Sequence, residues 1–161
     1  SQRNFYVGVD PRYRGLTVDG EPDTRVTVVS AGRNGHDGVT PVFFQQKYLS
    51  EAAPIPIASW REAQLIIAEA LGGQAAIDAI NRLRVAADLP LFAGGDEAVI
   101  QAQVREERRR ELFLEGHRFN DMLRFDLDFD TGTNHKGVPY GDTKCLPLPD
   151  AERLNNPNTS G

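Results

Sequence analysis

Two glutamates in the segment 106–125, "EERRRELFLEGHRFNDMLRF", have the residue type and spacing for acid/base chemistry. Glu111 and Glu115 are four positions apart, so a helix would place both carboxylates on one face. A pair of carboxylates can serve as general acid and general base. A glycoside hydrolase that uses Glu111 and Glu115 is therefore one hypothesis, and it predicts that Glu115→Gln abolishes sugar cleavage.

The same segment favours a structural explanation more strongly, because its charges can neutralise one another. Oppositely charged residues recur three positions apart and share a helix face with apolar side chains, so they are expected to be partly buried. This spacing predicts three pairs: Arg108–Glu111, Glu115–Arg118 and Arg118–Asp121. A buried charge persists only when it is paired and hydrogen-bonded. The predicted structural ion-pair network consists of Arg108, Glu111, Glu115, Arg118, Asp121 and Arg124. If its partner is left buried, Arg118→Ala should cost about 3–5 kcal/mol of stability.

Metal and nucleophile chemistry find little support in the sequence. The three histidines, His36, His117 and His135, are far apart and none has metal-ligand spacing. The single cysteine, Cys145, allows neither an intrachain disulfide nor a paired-cysteine metal site. We predict no catalytic residue, no cofactor and no metal site.

Alternating aspartates at Asp126, Asp128 and Asp130 suggest an EF-hand loop. An EF-hand that began at Asp126 would need Gly at its sixth position and Glu at its twelfth, where Thr131 and Gly137 stand. The EF-hand match therefore fails, and a looser calcium site near Asp126–Asp130 stays open beside the simpler interpretation, a charged loop.

Composition and charge limit the remaining classes. The 161 residues carry a formal net charge of −5, which argues mildly against nucleic-acid or anionic-membrane binding. The run Arg108–Arg110 is flanked by Glu106, Glu107 and Glu111, so a paired helix face is favoured over a phosphate patch. No apolar run has the length of a membrane span. Because the chain starts at Ser1 without a signal segment, we expect a fragment whose targeting information lies upstream.

Exposed aromatic side chains are the best indication of carbohydrate binding, because the apolar face of a sugar stacks on a flat ring. Tyr13 and Tyr140 lie in segments predicted to be loops and are the candidate ligand contacts. Trp60 lies in the first turn of a predicted helix and is expected to be packed.

The pattern along the chain predicts one domain, 1–161, in three parts. Residues 1–58 are loop-rich and β-leaning, with strands predicted at Thr24–Ser30 and Val42–Leu49 on either side of the turn-forming "AGRNGHDG". Residues 59–125 form a helical core, and residues 126–161 form an extended tail. The fold class is mainly α, with long irregular loops and room for one short β-hairpin.

Three helices have clear boundary signals. The first begins after Ser59, which opens the capping box "SWRE", and stops at Gly72-Gly73. The second, "QAAIDAINRLRVAAD", repeats apolar residues at three- and four-residue steps and forms a hairpin with the first. The third starts near Asp96, and after Gly116 the segment "HRFNDMLRF" continues or restarts as helix.

Several motifs in a fixed order resemble the C-terminal portion of the SusD/RagB family of outer-membrane nutrient-binding lipoproteins. The motifs are "QQKYL", "PIPIASWREAQLIIAEAL", "AIDAINRLRVAADLP", "VREERRRELFLEGHRFNDMLRF" and "CLPLPDAERLNNPN". One departure is Ser59, where the family often has Arg. The family's N-terminal helical repeats and its lipid-modified cysteine are not in this chain, and Cys145 is no substitute.

The resemblance implies a helical, tetratricopeptide-related SusD-like fold without catalysis. It also implies a protein at the bacterial outer membrane and cell surface that captures oligosaccharides or other nutrients. The implied partner is a TonB-dependent transporter of the SusC type, and attachment to the membrane is through a lipid anchor outside this chain. Since ligand contacts vary within the family, none is transferred to this sequence. The alternative is a structural or protein-interaction module with no small-molecule ligand.

Overall fold

The computed structural model describes residues 8–134, 136–142 and 148–159. The chain divides into two units, Ser1–Arg118 and Phe119–Gly161, which are described separately. Among the described residues five α-helices and two small antiparallel ladders are formed, so the fold is mainly helical as predicted.

Three helices dominate the first unit. They are α1 (Trp60–Leu71), α2 (Gly73–Ala86) and α3 (Glu97–Glu111), and each packs against the other two. The capping signals act as predicted: Ser59 Oγ accepts from the Glu62 N–H at 3.1 Å and Asp96 Oδ1 accepts from the Val99 N–H at 2.9 Å.

Gly72 joins α1 to α2 with a left-handed backbone, φ 62°, which glycine adopts at little cost. A Cβ at this position would lie 2.6 Å from Glu97 Oε1. The Glu97 carboxylate comes this close because it accepts from the Gly73 N–H at 3.0 Å, so the first residue of α3 caps the start of α2.

The core of the three helices consists of small and branched apolar side chains. One cluster comprises Ala68, Ala76, Ala79, Ile80, Ile100 and Val104, and a second comprises Leu65, Leu83 and Leu112. The loop after α2 is held by Asn81, whose side-chain amide accepts from the Phe92 N–H at 2.8 Å and donates to the Phe92 carbonyl at 3.1 Å. This clasp packs Phe92 against the first cluster.

The loop-rich part, before α1, contains two ladders where one hairpin was predicted. Strand β1 (Thr17–Val18) pairs with β2 (Glu21–Pro22), and β3 (Val28–Asn34) pairs with β4 (Pro41–Gln45). The predicted strand Thr24–Ser30 is wrong in its first half. Asp23 Oδ1 accepts from the Arg25 N–H at 3.1 Å and closes a 3-10 turn over Thr24–Val26.

The strands also begin and end at other residues than the sequence suggested. β3 continues to Asn34, through half of the segment predicted as a turn, with an irregular register between Ser30 and Asn34. β4 ends at Gln45 because its side chain binds the backbone of Tyr48, accepting from the N–H at 2.7 Å and donating to the carbonyl at 2.6 Å. The chain turns there instead of continuing as a strand to Leu49.

In the second unit, α4 (Arg118–Arg124) begins at the last residue of the first unit and restarts the helix after Gly116. Phe119 and Phe129 meet edge to face, with 6.0 Å between their ring centroids. An isolated bridge joins Thr133 to Pro139. The segment predicted as an extended tail contains a short helix, α5 (Asp150–Asn155), because Pro149 immediately before it suits a helix start and acidic residues occupy its first turn.

Candidate functional site

Glu107, on the inner face of α3, is the centre of the buried charge in the first unit. Its side chain is 1% exposed. Arg84 of α2 donates to Oε1 through Nε and Nη2, both at 2.8 Å, and Gln103 donates to the same oxygen at 2.7 Å. Arg25 donates to Oε2 from the loop-rich part. Two arginines therefore surround one carboxylate that has no access to solvent.

Arg25 connects the loop-rich part to the helices. Its side chain is 6% exposed and makes two parallel bonds to Asp23, Nε to Oδ1 at 2.9 Å and Nη2 to Oδ2 at 2.8 Å. The 3-10 turn that Asp23 caps brings these two side chains together. Arg110 of α3 adds a bond to Asp23 Oδ2 at 3.2 Å and a bond to the Thr17 carbonyl at 2.8 Å. The 3-10 turn is therefore attached to α3 through Glu107, which binds Arg25, and through Arg110, which binds Asp23.

Glu111, one of the two candidate catalytic residues, is 5% exposed and lies between two cations. Arg61 Nε approaches Oε1 at 2.9 Å, and Arg25 Nη1 donates to Oε2 at 3.4 Å. Burial raises the pKa of the Glu111 carboxyl above its ordinary value, although both arginines act to lower it. The Glu111 backbone carbonyl also accepts from Lys47 Nζ at 3.0 Å.

Glu115, the second candidate, is paired with Lys47, which lies 68 positions away in the sequence. Arg118, the local partner that helical spacing suggested, is exposed. The helix α3 ends at Glu111, so the 3.6-residue periodicity that would align Glu115 with Arg118 does not extend across this stretch. The predicted Glu115–Arg118 pair is therefore replaced by a long-range pair.

The structure places the other members of the predicted network as follows. Arg108 is buried within α3, and Asp121 pairs with Arg124 at 3.0 Å inside the second unit. Arg109 and Arg110 both bind Glu106, each with a contact of 2.6 Å. Since Arg108–Arg110 are buried or paired with carboxylates, this run does not form an exposed phosphate patch.

Hydrogen bonds from arginines set the protonation of two carboxylates near the loop-rich part. Burial alone would raise the pKa of Asp23, but the bonds and charge of Arg25, with Arg110, hold it below its ordinary value. Glu106 behaves in the same way, since burial is outweighed by Arg109 and Arg110 and its pKa is lowered. The pKa of Arg25 is raised, because Asp23 and Glu107 outweigh its burial. These groups are charged at neutral pH.

Sequence reasoning missed four central members of this network: Asp23, Arg25, Arg84 and Glu107. Arg84 and Glu107 stand in the family-like motifs "INRLR" and "REERRREL", which was the one available signal. Nothing in the local spacing pointed to the role of Asp23 and Arg25 in this network, because their partners on α3 lie 82 to 87 positions further along the chain.

The candidate aromatic ligand contacts differ in solvent exposure and in what packs against their rings. Tyr13 is half-buried, with its ring 5.1 Å from that of Phe113 and the Arg109 guanidinium 5.1 Å from its centroid. Tyr140 is 37% exposed, and its N–H donates to the Gly132 carbonyl at 2.9 Å. Trp60, expected to be packed, is 49% exposed.

The histidine and aspartate candidates do not assemble into a metal site within the described part of the chain, where no cluster of three or more metal-binding side chains is formed. Asp126, Asp128 and Asp130 are exposed. His117 Nε2 lies 3.6 Å from Glu62 Oε1, and His36 is exposed in the β3–β4 loop. His135 and Cys145 lie outside the described residues.

These ion pairs neutralise the buried carboxylates and leave no free acid/base pair at Glu111 and Glu115. Each of these carboxylates is already bound by cations within the structure, so neither is available to a substrate. The hydrolase hypothesis loses its basis in these two residues. Within the described residues no helix is long and apolar enough to span a bilayer.

Comparison with known proteins matches residues 62–159 to the family model described as the SusD family. No curated protein and no solved structure matches the chain. The matched region includes the whole of α2, α3 and α4, and therefore Arg84, Glu107 and Glu111 of the buried network. Proteins of this family bind nutrients at the cell surface and are generally not catalysts. Because the match covers more than half of the sequence, the chain belongs to the SusD/RagB family.

Proposed function

We propose that this protein is a non-catalytic nutrient-binding protein of the bacterial outer-membrane surface, that its ligands are oligosaccharides or related glycans, and that it works with a TonB-dependent transporter of the SusC type. The observation that carries the proposal is the family match over residues 62–159. The occupied carboxylates support it, because the charged stretch that most resembles an active site is used for internal ion pairs.

A binding role suits what the helices do in the first unit. Arg25, Arg84 and Glu107 fix the loop-rich part to α2 and α3 through side chains that are almost fully buried. A rigid helical scaffold of this kind supports loops that can vary in sequence without unfolding the protein. Ligand contacts are therefore expected in loops and not on α3.

Tyr140 is the ligand contact that we favour. Its ring is partly exposed, and its loop is held by the Thr133–Pro139 bridge and by the bond from the Tyr140 N–H to Gly132. A flat ring on a held loop can stack against the apolar face of a sugar at low entropic cost. Tyr13 is a weaker candidate because Phe113 and Arg109 already contact its ring.

Isothermal titration against a panel of soluble glycans tests the proposal. We expect at least one glycan to bind, Tyr140→Ala to weaken that binding by about tenfold, which corresponds to about 1.4 kcal/mol, and Tyr140→Phe to leave it nearly unchanged. Tyr140→Phe is the matched control because it retains the ring and removes the hydroxyl. Binding that survives Tyr140→Ala in full would exclude this residue as a contact. Detectable sugar cleavage would overturn the non-catalytic assignment.

The proposed outer-membrane localisation and transporter partner must be tested with the native protein in its own cells. We expect the native gene product to fractionate with the outer membrane, to be accessible at the cell surface and to carry a lipid anchor outside this chain. It should also co-purify with a TonB-dependent transporter from detergent-solubilised outer membranes. Recovery only in the soluble fraction would contradict this part of the proposal.

One observation favours the second candidate, a protein-interaction module without a small ligand. The outer side of α1 exposes four large apolar side chains, Trp60, Ile66, Ile67 and Leu71. Exposed apolar surface of this kind is typical of protein contacts. Failure of every glycan to bind, together with tight binding to the transporter, would favour this candidate over the first.

A further inference from the structure

The hairpin between β3 and β4 contains an Asn-Gly pair at its start. Asn34 is the last residue of β3 and lies opposite Pro41, and Gly35 opens the connecting loop. In an Asn-Gly pair the glycine nitrogen can attack the asparagine side-chain amide with little steric hindrance, since glycine has no Cβ. The pair is therefore a chemically reactive site whose rate depends on whether the two groups are free to meet.

Both reacting groups are engaged in the folded hairpin. The Gly35 N–H donates to the Thr40 carbonyl at 2.8 Å, and Asn34 Nδ2 donates to the Gly38 carbonyl at 2.7 Å. Attack by the Gly35 nitrogen requires the first bond to break, and departure of the Asn34 amide nitrogen requires the second to break. The loop must open before the reaction can begin.

We propose that Asn34 is a deamidation site that the folded hairpin protects and that loop opening exposes. The Gly35 nitrogen bonds to Asn34 Cγ, the Cγ–Nδ2 bond breaks, and ammonia leaves with the proton that the Gly35 nitrogen gives up. Water then hydrolyses the cyclic imide at one of its two carbonyls. The product is aspartate or isoaspartate at position 34, with one additional negative charge.

The modified residue cannot restore the original loop. A carboxylate at position 34 has no N–H to donate to the Gly38 carbonyl, and two acceptor oxygens would face each other there. An isoaspartate also lengthens the backbone by one carbon, which shifts the register against Pro41. Because ammonia has left, the amide is not regenerated, and the change accumulates in molecules whose hairpin opens often.

Asp37 provides a means to change loop opening without altering the reacting pair. Its Oδ1 accepts from the Thr40 N–H at 2.9 Å and from the Val39 N–H at 3.1 Å, and its Oδ2 accepts from the Thr40 hydroxyl at 2.5 Å. Thr40→Val removes the hydroxyl bond, keeps the branched side-chain shape and leaves Asn34 and Gly35 intact. Thr27→Val is the matched control, because the Thr27 hydroxyl donates to the Thr24 carbonyl outside this loop.

Peptide mapping by mass spectrometry, after incubation in mildly alkaline buffer with and without denaturant, tests the proposal. We expect Asn34 to deamidate at least about tenfold more slowly in the folded protein than in the unfolded chain. Thr40→Val should accelerate the reaction several-fold in the folded protein and leave it unchanged in denaturant, while Thr27→Val should match the wild type in both. Equal rates in folded and unfolded wild type, or no acceleration in folded Thr40→Val, would overturn the protective role of the loop.

Discussion

Replacing Arg25 with methionine is the sharpest test of the buried network. The substitution retains much of the side-chain volume and removes a guanidinium that contacts Asp23, Glu107 and Glu111. Asp23 and Glu107 are at most 1% exposed as side chains, and Glu111 is 5% exposed. Removing one partner from a buried pair costs about 3–5 kcal/mol, since the other charge is left without compensation.

We expect Arg25→Met to lower the free energy of unfolding by about 3–5 kcal/mol, nearer the upper figure because three carboxylates lose a partner. Some compensation stays in place, because Arg84 still binds Glu107 and Arg110 still binds Asp23. Urea unfolding followed by far-ultraviolet circular dichroism measures the loss. Arg12→Met is the matched control: Arg12 is 57% exposed and pairs with Asp10 at 3.0 Å, so its loss should stay below about 1 kcal/mol.

A double-mutant cycle separates the Arg25–Glu107 interaction from the rest. The cycle combines Arg25→Met with Glu107→Gln, and it should give a coupling energy of about 0.5–3 kcal/mol. A cost of Arg25→Met below about 1 kcal/mol would refute the argument, because it would show that the guanidinium is not the buried counter-charge of these carboxylates. A coupling energy of zero would show that Arg25 acts through other partners than Glu107.

Four further predictions concern the same unit and its boundary. Asp23→Asn should cost roughly 1.5–3 kcal/mol at neutral pH and progressively less in acid. Because the folded pKa of Asp23 is depressed, its stabilisation is present above the unfolded pKa and is lost as the pH falls through the folded value; urea unfolding across about pH 5 to pH 2 measures this. The contribution of Glu111 to stability has the opposite pH dependence, because its folded pKa is raised. This contribution declines as the pH rises from the unfolded pKa to the folded pKa. Glu111→Gln should therefore remove the declining phase from the same titration. Arg118→Ala should cost less than about 1 kcal/mol, because Arg118 is exposed, and a loss of several kcal/mol would contradict its placement. Asn81→Ala should cost about 1–3 kcal/mol through its two bonds to Phe92 and should accelerate hydrogen exchange at the Phe92 amide, whereas an unchanged exchange rate would contradict the clasp.

Helices were the most predictable part of this protein, because their signals act within one turn. Ser59 and Asp96 each cap the N–H three residues ahead, and Gly72 ends α1, so each boundary depends on a few neighbouring residues. The β-leaning part was less predictable, because local side-chain bonds there override the strand pattern. Asp23 bends Thr24–Val26 into a 3-10 turn, and Gln45 stops β4, through side-chain bonds that compete with strand formation.

Candidate ligand contacts needed the tertiary structure, because exposure of an aromatic ring depends on what packs against it. Tyr13 and Tyr140 were equivalent in sequence, as tyrosines in segments predicted to be loops. Phe113 and Arg109 contact one of them, and the other stays partly exposed. Trp60 shows the converse, since a position expected to be packed is exposed.

The half-apolar helix face and the order of family motifs predict that the charges of 106–125 belong to a scaffold. Which cation neutralises Glu107 and Glu115 depends on the tertiary structure. Glu107 binds Arg25 and Arg84, and Glu115 binds Lys47, none of which is a neighbour on the same helix. The physical reason is that a buried carboxylate takes whichever cation reaches it when water is excluded, and helical spacing indicates only the partners within one turn.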